Sequence, residues 1–221
     1  MASKPAKPSK KEERAQDIVH RLKRTYPKAK CSLDFTTPFE LLIATMLSAQ
    51  STDARVNIVT KSLFRKYPSP QEYANAGQVE MERDVRQTGF YRNKAKAVIA
   101  ASKAIVEKHR GEVPQTMEEL TALPGVGRKT ANVVLSNAFR KPAGIVVDTH
   151  VSRVSARLGL TAQSDPEKIE QDLMKLVPEK EWTSFSHRVI AHGRAVCIAR
   201  KPRCSECQLN EFCPSAEEAR E

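Results

Sequence analysis

No apolar run in this 221-residue sequence approaches the roughly 18–20 residues that span a bilayer, so no membrane-spanning helix is expected. The opening Met1-Ala2-Ser3-Lys4-Pro5-Ala6-Lys7-Pro8 carries charge but leads into no apolar stretch, so no secretory signal is expected either. There is no internal repeat and no long linker. Only Ile145-Val146-Val147 reads as a strand, too short to build a sheet. Acidic residues are in the minority: 26 Asp and Glu stand against 37 Lys and Arg, a formal net charge of +11. That excess calls for an anionic partner, nucleic acid first and a membrane surface second. With 40% hydrophobic and 29% charged residues, the composition is that of a globular chain and not of a disordered one.

The positive excess is unevenly spread. Residues 1–30 hold ten Lys and Arg and three Asp and Glu, while the remaining 191 hold 27 and 23. Residues 1–11 read as a flexible, solvated basic arm. Of five cysteines, Cys31 stands alone and reads as a buried, inert thiol. Cys197, Cys204, Cys207 and Cys213 crowd into 17 residues with little apolar material of their own, which points to a metal site.

Nearly every periodic segment reads as helix, so the fold class is all-α. Ala15, Ile18, Val19 and Leu22 share one face over residues 12–24. Thr37-Pro38-Phe39-Glu40 is a capping box with proline at the first helical position, opening a helix over Phe39–Ala49 that is apolar almost all round. Val56–Tyr67 follows, then a break at Pro68 and Pro70. Thr116-Met117-Glu118-Glu119 offers a second capping box. Further helices are expected near 78–87, 92–109, 117–122, 129–139, 149–158, 166–177 and 181–195. Arg140-Lys141-Pro142-Ala143-Gly144 is the most turn-rich break and suits a crossover between domains.

Three motifs carry chemistry. Leu123-Pro124-Gly125-Val126-Gly127-Arg128-Lys129-Thr130 lies between a short helix and a long one. Its glycines permit a tight hairpin, and its N–H groups, with those of the next helix's first turn, are expected to point outward unpaired toward an anion such as a DNA phosphate. An ordinary turn between helices is the plainer reading. Lys129 falls where the helix dipole disfavours a cation, and a neutral amine is a nucleophile; a phosphate-contacting lysine fits the same position. Next, Asp148 in Val147-Asp148-Thr149-His150 sits at a natural N-cap, where a carboxylate is favoured. It serves either as a structural cap or as a fixed charge beside an oxocarbenium-like sugar. Last, Cys197-x6-Cys204-x2-Cys207-x5-Cys213 indicates a metal without saying which; its gaps do not match a zinc ribbon, and iron–sulfur ligation fits. The intervening loop carries Arg200, Lys201 and Arg203 and no acid.

In this order the three motifs resemble the helix-hairpin-helix DNA glycosylase superfamily, closest to its endonuclease III family, from about residue 12 to residue 213. The resemblance implies a two-domain fold with an active-site cleft. A six-helix barrel-like domain would cover 31–142. A discontinuous domain of 12–30 plus 143–221 would carry a [4Fe-4S] cluster on the four cysteines. It implies Lys129 as the nucleophile and Asp148 as the assisting carboxylate. It implies DNA contacts from Gly125, Val126, Gly127 and Arg128. Gln50, in Leu47-Ser48-Ala49-Gln50-Ser51-Thr52-Asp53, would fill the gap left by an extruded nucleotide, with Ser48, Asp53 and His150 near the base pocket. Phe90, in Gly89-Phe90-Tyr91-Arg92-Asn93-Lys94, stands at the wedge position where leucine is expected. Arg200, Lys201 and Arg203 would face DNA.

The activity implied is a bifunctional glycosylase and abasic-site lyase of base excision repair, acting on double-stranded DNA with oxidised or saturated pyrimidines or abasic sites. A monomer in a bacterial cytoplasm, associated with the nucleoid, is the simplest setting. Two alternatives stand beside it. An adenine- or mismatch-specific monofunctional relative usually lacks the lysine, and the adenine enzymes carry a further domain where eight residues follow Cys213 here. A non-enzymatic helix-hairpin-helix DNA-binding protein would need the hairpin but not both Lys129 and Asp148.

Overall fold

The computed structural model describes residues 9–218. Ser9 already caps the first helix, α1 (Lys10–Thr25): its hydroxyl accepts the Glu12 N–H, and the Glu12 carboxylate accepts the Ser9 N–H. The basic arm expected over 1–11 is therefore shorter than its boundary, because this capping box draws Lys10 and Lys11 into helix. Its first eight residues lie outside the described residues. Among the described residues there are α-helices, 3₁₀ turns and no strand, and Ile145-Val146-Val147 runs without a ladder. No helix among them is long and apolar enough to cross a membrane.

The chain divides into two compact units. Cys31–Ala143 is one. It contains α2 (Pro38–Leu47), α3 (Asp53–Lys66), α4 (Pro70–Asn75), α5 (Gln78–Val85), a 3₁₀ turn at Arg86–Thr88, α6 (Tyr91–His109), α7 (Met117–Thr121) and α8 (Arg128–Ala138). Helix α2 is its centre: Phe39 and every residue from Leu41 to Leu47 are buried. That is the consequence of an apolar surface running all the way round a helix, which only a surrounding shell of other helices can cover. Helices α3, α6 and α8 supply much of that shell, and α4 and α5 pack on α6. Cys31 is half-buried against this core.

The break expected at Pro68 and Pro70 lies between α3 and α4, and Pro70 also takes the first position of α4, where a missing N–H costs nothing. One expectation fails here. At Thr116 the capping box is only half made. The Thr116 hydroxyl accepts the Glu119 N–H, but the Glu119 carboxylate accepts from that same hydroxyl instead of reaching back to the backbone.

The second unit joins the described parts of Met1–Lys30 and Gly144–Glu221. Its core sets Ala15, Ile18, Val19 and Leu22 of α1 against residues of α9 (Thr149–Arg157), α10 (Pro166–Leu176) and α11 (Trp182–Ala195). The cysteine segment follows α11 as loops and 3₁₀ turns and ends in α12 (Ser215–Glu218).

Candidate active site and metal centre

The hairpin between α7 and α8 is pinned by its apolar residues, Leu123 and Val126, which are buried in the core of Cys31–Ala143. Gly125 is irreplaceable on two counts. Its φ is +76°, and a Cβ there would lie 2.8 Å from Ala97 Cβ. Gly127 is different: at φ −91° it needs no glycine for its backbone, and a Cβ would meet nothing within 4 Å. The chain's own packing therefore gives no reason for a missing side chain there. Gly127 is the N-cap of α8 and provides no side-chain cap, and the first helical bond runs from Ala131 N–H to Gly127 O. The preceding amides of the first turn have no acceptor within the helix. One part of the expectation fails: the Val126 N–H is spent on Leu123 O at 3.1 Å, because the tip is itself a hydrogen-bonded turn. Arg128 and Lys129 are exposed in the first turn of α8.

Two loop tips of the same unit hold residues in the left-handed region. Gln50, at φ 54°, is exposed in the turn after α2, where Ser51 N–H closes on Ser48 O. Phe90, at φ 47°, immediately precedes α6 and is 65% exposed, so it is not a core aromatic. The neighbouring Tyr91 ring carries the guanidinium groups of Arg86 and Arg92, each 5.8 Å from its centroid. Ser48 spends its hydroxyl on Thr45 O, and Asp53, first residue of α3, accepts from the Ser32 hydroxyl.

In the other unit Asp148 is the N-cap of α9, and one carboxylate oxygen accepts the N–H groups of His150 and Val151 at 2.9 and 2.8 Å. Its second oxygen is not used by the cap. His150 presents Nδ1 to Arg153 Nη2 at 3.1 Å and lies close to the backbone of Gly193 on α11. Helix α9 has a second function that the sequence reading missed. Arg153 donates to Cys197 O, and Arg157 donates to Ile198 O and Ala199 O at 2.8 and 2.9 Å. The helix capped by Asp148 thus also grips the start of the cysteine loop. The i, i+4 spacing of Arg153 and Arg157 was the available signal, since it places both on one face. Arg200, Lys201 and Arg203 are exposed on this loop, Lys201 at φ 53°.

All four cysteines of the segment line one cavity with Val154, Arg157 and His192. No disulfide joins them. Four thiols round one cavity are the donor type that iron–sulfur clusters take. Hydrogen-bond donors face the sulfurs: Arg157 Nη1 is 3.3 Å from Cys197 Sγ and the Leu209 N–H is 3.4 Å from Cys207 Sγ. Buried His192 stands with Nε2 3.6 Å from Cys207 Sγ and Nδ1 3.1 Å from the Tyr26 hydroxyl. Burial and the neighbouring cysteines push the Cys207 and Cys213 thiols up, so four thiolates there need positive charge among them. The donor set fits an iron–sulfur cluster.

The structure thus gathers the cysteines at one cavity and the glycines with Arg128 and Lys129 in one hairpin. Ser48, Gln50 and Asp53 share one connection. Lys129 belongs to one unit, and Asp148 and His150 to the other.

Comparisons with known proteins agree in direction. Residues 43–179 match the model for the HhH-GPD superfamily base excision DNA repair protein, and residues 197–213 match the iron-sulfur binding domain of endonuclease III. The chain is 56% identical to endonuclease III of Synechocystis over 98% of its length and 99% of the relative's. It is 42% identical to endonuclease III of Escherichia coli K12 over 89% and 93%. A solved trapped endonuclease III–DNA covalent intermediate superposes with a TM-score of 0.90 at 44% identity, covering 95% of this chain and 99% of that one. A thermostable thymine-DNA glycosylase superposes with a TM-score of 0.86 at 20% identity, a likeness of fold alone.

Proposed function

The chain belongs to the endonuclease III family of the HhH-GPD superfamily of base excision DNA repair proteins, and from that premise we propose how its own residues carry out the reaction. It is a bifunctional DNA glycosylase and abasic-site lyase, and its four C-terminal cysteines hold a [4Fe-4S] cluster. The observation that carries the residue assignment is the uncapped start of α8, with open space at Gly127 and Lys129 in the first turn.

A DNA phosphate takes the place of the missing cap. The first-turn amides of α8 donate to it, Gly127 allows its close approach, and Arg128 adds charge. The interaction is salt-sensitive and blind to sequence, as a search along duplex DNA requires. Gln50 and Phe90 enter the duplex at the lesion and hold it open, at a cost of a few kcal/mol that is lower for a damaged base. Lys129 Nζ attacks C1′ of the extruded nucleotide, and the bond from C1′ to the base breaks. Asp148, fixed by its two backbone N–H donors, stabilises the cationic sugar through the oxygen that the cap leaves available. The amine loses a proton as the sugar ring opens to a Schiff base. Removal of a C2′ proton then expels the 3′ phosphate, and the strand is cut by β-elimination. Ser48, Asp53 and His150 are assigned to the base pocket. Cys197, Cys204, Cys207 and Cys213 would hold the cluster, which when bound would compensate the charge of their thiolates and brace the loop that presents Arg200, Lys201 and Arg203 to the backbone.

The substrates are duplexes with oxidised or saturated pyrimidines or abasic sites, and the enzyme works as a monomer in the cytoplasm on nucleoid DNA. Lys129→Gln tests the assignment. Borohydride added during turnover of an abasic duplex traps a covalent adduct with the wild type and none with the variant. An undiminished adduct in the variant would remove Lys129 from the reaction.

A further inference from the structure

Lys94, the fourth residue of α6, is 7% exposed. Its ammonium donates to Leu47 O at 2.8 Å and to Thr88 O at 2.7 Å. Both acceptors end helices. Leu47 is the last residue of α2 and Thr88 the last of the 3₁₀ turn before α6. Terminal carbonyls have no acceptor role left within their own helix, and a cation is favoured at that end of the dipole. Each carbonyl is also the root of a loop tip. Leu47 leads into Ser48-Ala49-Gln50, and Thr88 into Gly89-Phe90, two tips that each hold a left-handed non-glycine residue. A single buried group therefore holds both roots at a fixed separation.

A lysine is a poor choice if packing alone mattered. Burial disfavours its charged form, and two backbone carbonyls are its hydrogen-bond partners. An apolar side chain would fill the space without that desolvation cost, but it would leave two carbonyls unpaired and the loops untied. Buried ionic groups are best attested as devices of register, and here the register is between Gln50 and Phe90.

We propose that Lys94 is a positioning residue for nucleotide extrusion: it ties the Gln50 and Phe90 tips together so that they enter the duplex as one unit. The inference rests on the reading of those tips given above. It separates Lys94 from the chemistry at Lys129, since an abasic site in single-stranded DNA needs no extrusion.

Lys94→Met keeps the length of the side chain and removes both hydrogen bonds. Excision of thymine glycol from duplex in single turnover is expected to fall about tenfold or more, with borohydride trapping on single-stranded abasic DNA within about twofold of wild type. The fluorescence rise of 2-aminopurine beside the lesion, which reports unstacking, falls with duplex excision. Lys94→Gln, which still carries two N–H donors, recovers part of both, and it bears the comparison if the methionine variant does not fold. Undiminished duplex excision, or an equal loss on both substrates, overturns the proposal. Gln50→Ala and Phe90→Ala distinguish the two ways of failing. If they leave extrusion intact, the reading of the tips is wrong; if they impair it and Lys94→Met does not, only the role of Lys94 is wrong.

Discussion

In Cys31–Ala143 most residues assigned to DNA stand exposed on turns, with Val126 buried beneath the hairpin and the non-glycine residues Gln50 and Phe90 bent into the left-handed region, over a core as apolar as Leu41, Leu42 and Ile43. In the unit containing α9 and α11 the assigned groups are held by polar donors. Asp148 is fixed by two amides, the cysteine loop by Arg153 and Arg157, and Cys207 faces His192. A left-handed non-glycine residue costs roughly 1–2 kcal/mol, and Lys201 on the cysteine loop carries that cost as Gln50 and Phe90 do. The tips of the first unit stand on a dense apolar core, whereas the cysteine loop is held by polar donors. The first unit should therefore fail by cavities, and the second by loss of its metal or of a polar brace.

The largest expected effect is loss of the cluster. In Cys207→Ala, amide exchange over 197–213 should rise by more than about a hundredfold, since metal binding there is also folding energy. The amides of α2 should keep their protection, and absorbance near 400 nm should vanish. Leu42→Ala is the mirror experiment: Leu42 is fully buried, so the variant should lose about 2–5 kcal/mol by urea unfolding with its iron intact. Equal loss of protection in both units, in either variant, would break the contrast.

A smaller effect isolates the brace from the metal. Arg157→Met keeps all four cysteines but removes the donors to Ile198 O, Ala199 O and Cys197 Sγ. The expected cost is about 1–3 kcal/mol, with faster bleaching of the cluster in air. Bleaching at the wild-type rate would show that the cluster holds its loop unaided.

How much of this was legible follows the same division. The α2 helix and its burial could be read from apolar residues on all sides, Asp148 from its place after Val147, and the cluster from four spacings. What escaped were interactions between distant segments. Lys94 sits in Arg92-Asn93-Lys94-Ala95-Lys96 and reads, with Arg92, as positive charge flanking the wedge. Yet Lys94, Ala95, Val98, Ala101, Ser102 and Ile105 fall on one buried stripe of α6, so the period alone placed the lysine inside. No local signal tells that its partners are Leu47 and Thr88. The Val126 amide escapes for a related reason: its sequence does not show that the tip closes its own turn. Helix α4 has little signal beyond Pro70, because proline looks the same at a break and at a helix start.

The smallest effect concerns an ionic tie inside the polar unit. Glu181 accepts from Arg188 Nη1 at 2.6 Å and Lys23 Nζ at 3.1 Å, and also from the Ser184 hydroxyl, linking α1 to the start of α11. Burial alone would raise its pKa, but these donors outweigh burial and lower it to about 2. A carboxylate depressed in the folded state leaves the unfolded chain binding more protons between the two values. The stability it contributes is therefore full above roughly pH 4.3 and disappears as the pH falls toward about 2. Glu181→Gln should be less stable than the wild type at pH 7, and the gap in melting temperature should close on acidification through that window. A gap independent of pH would mean that shape at Glu181, and not its charge, holds α1 against α11. The polar unit would then rest on packing more than its donors suggest.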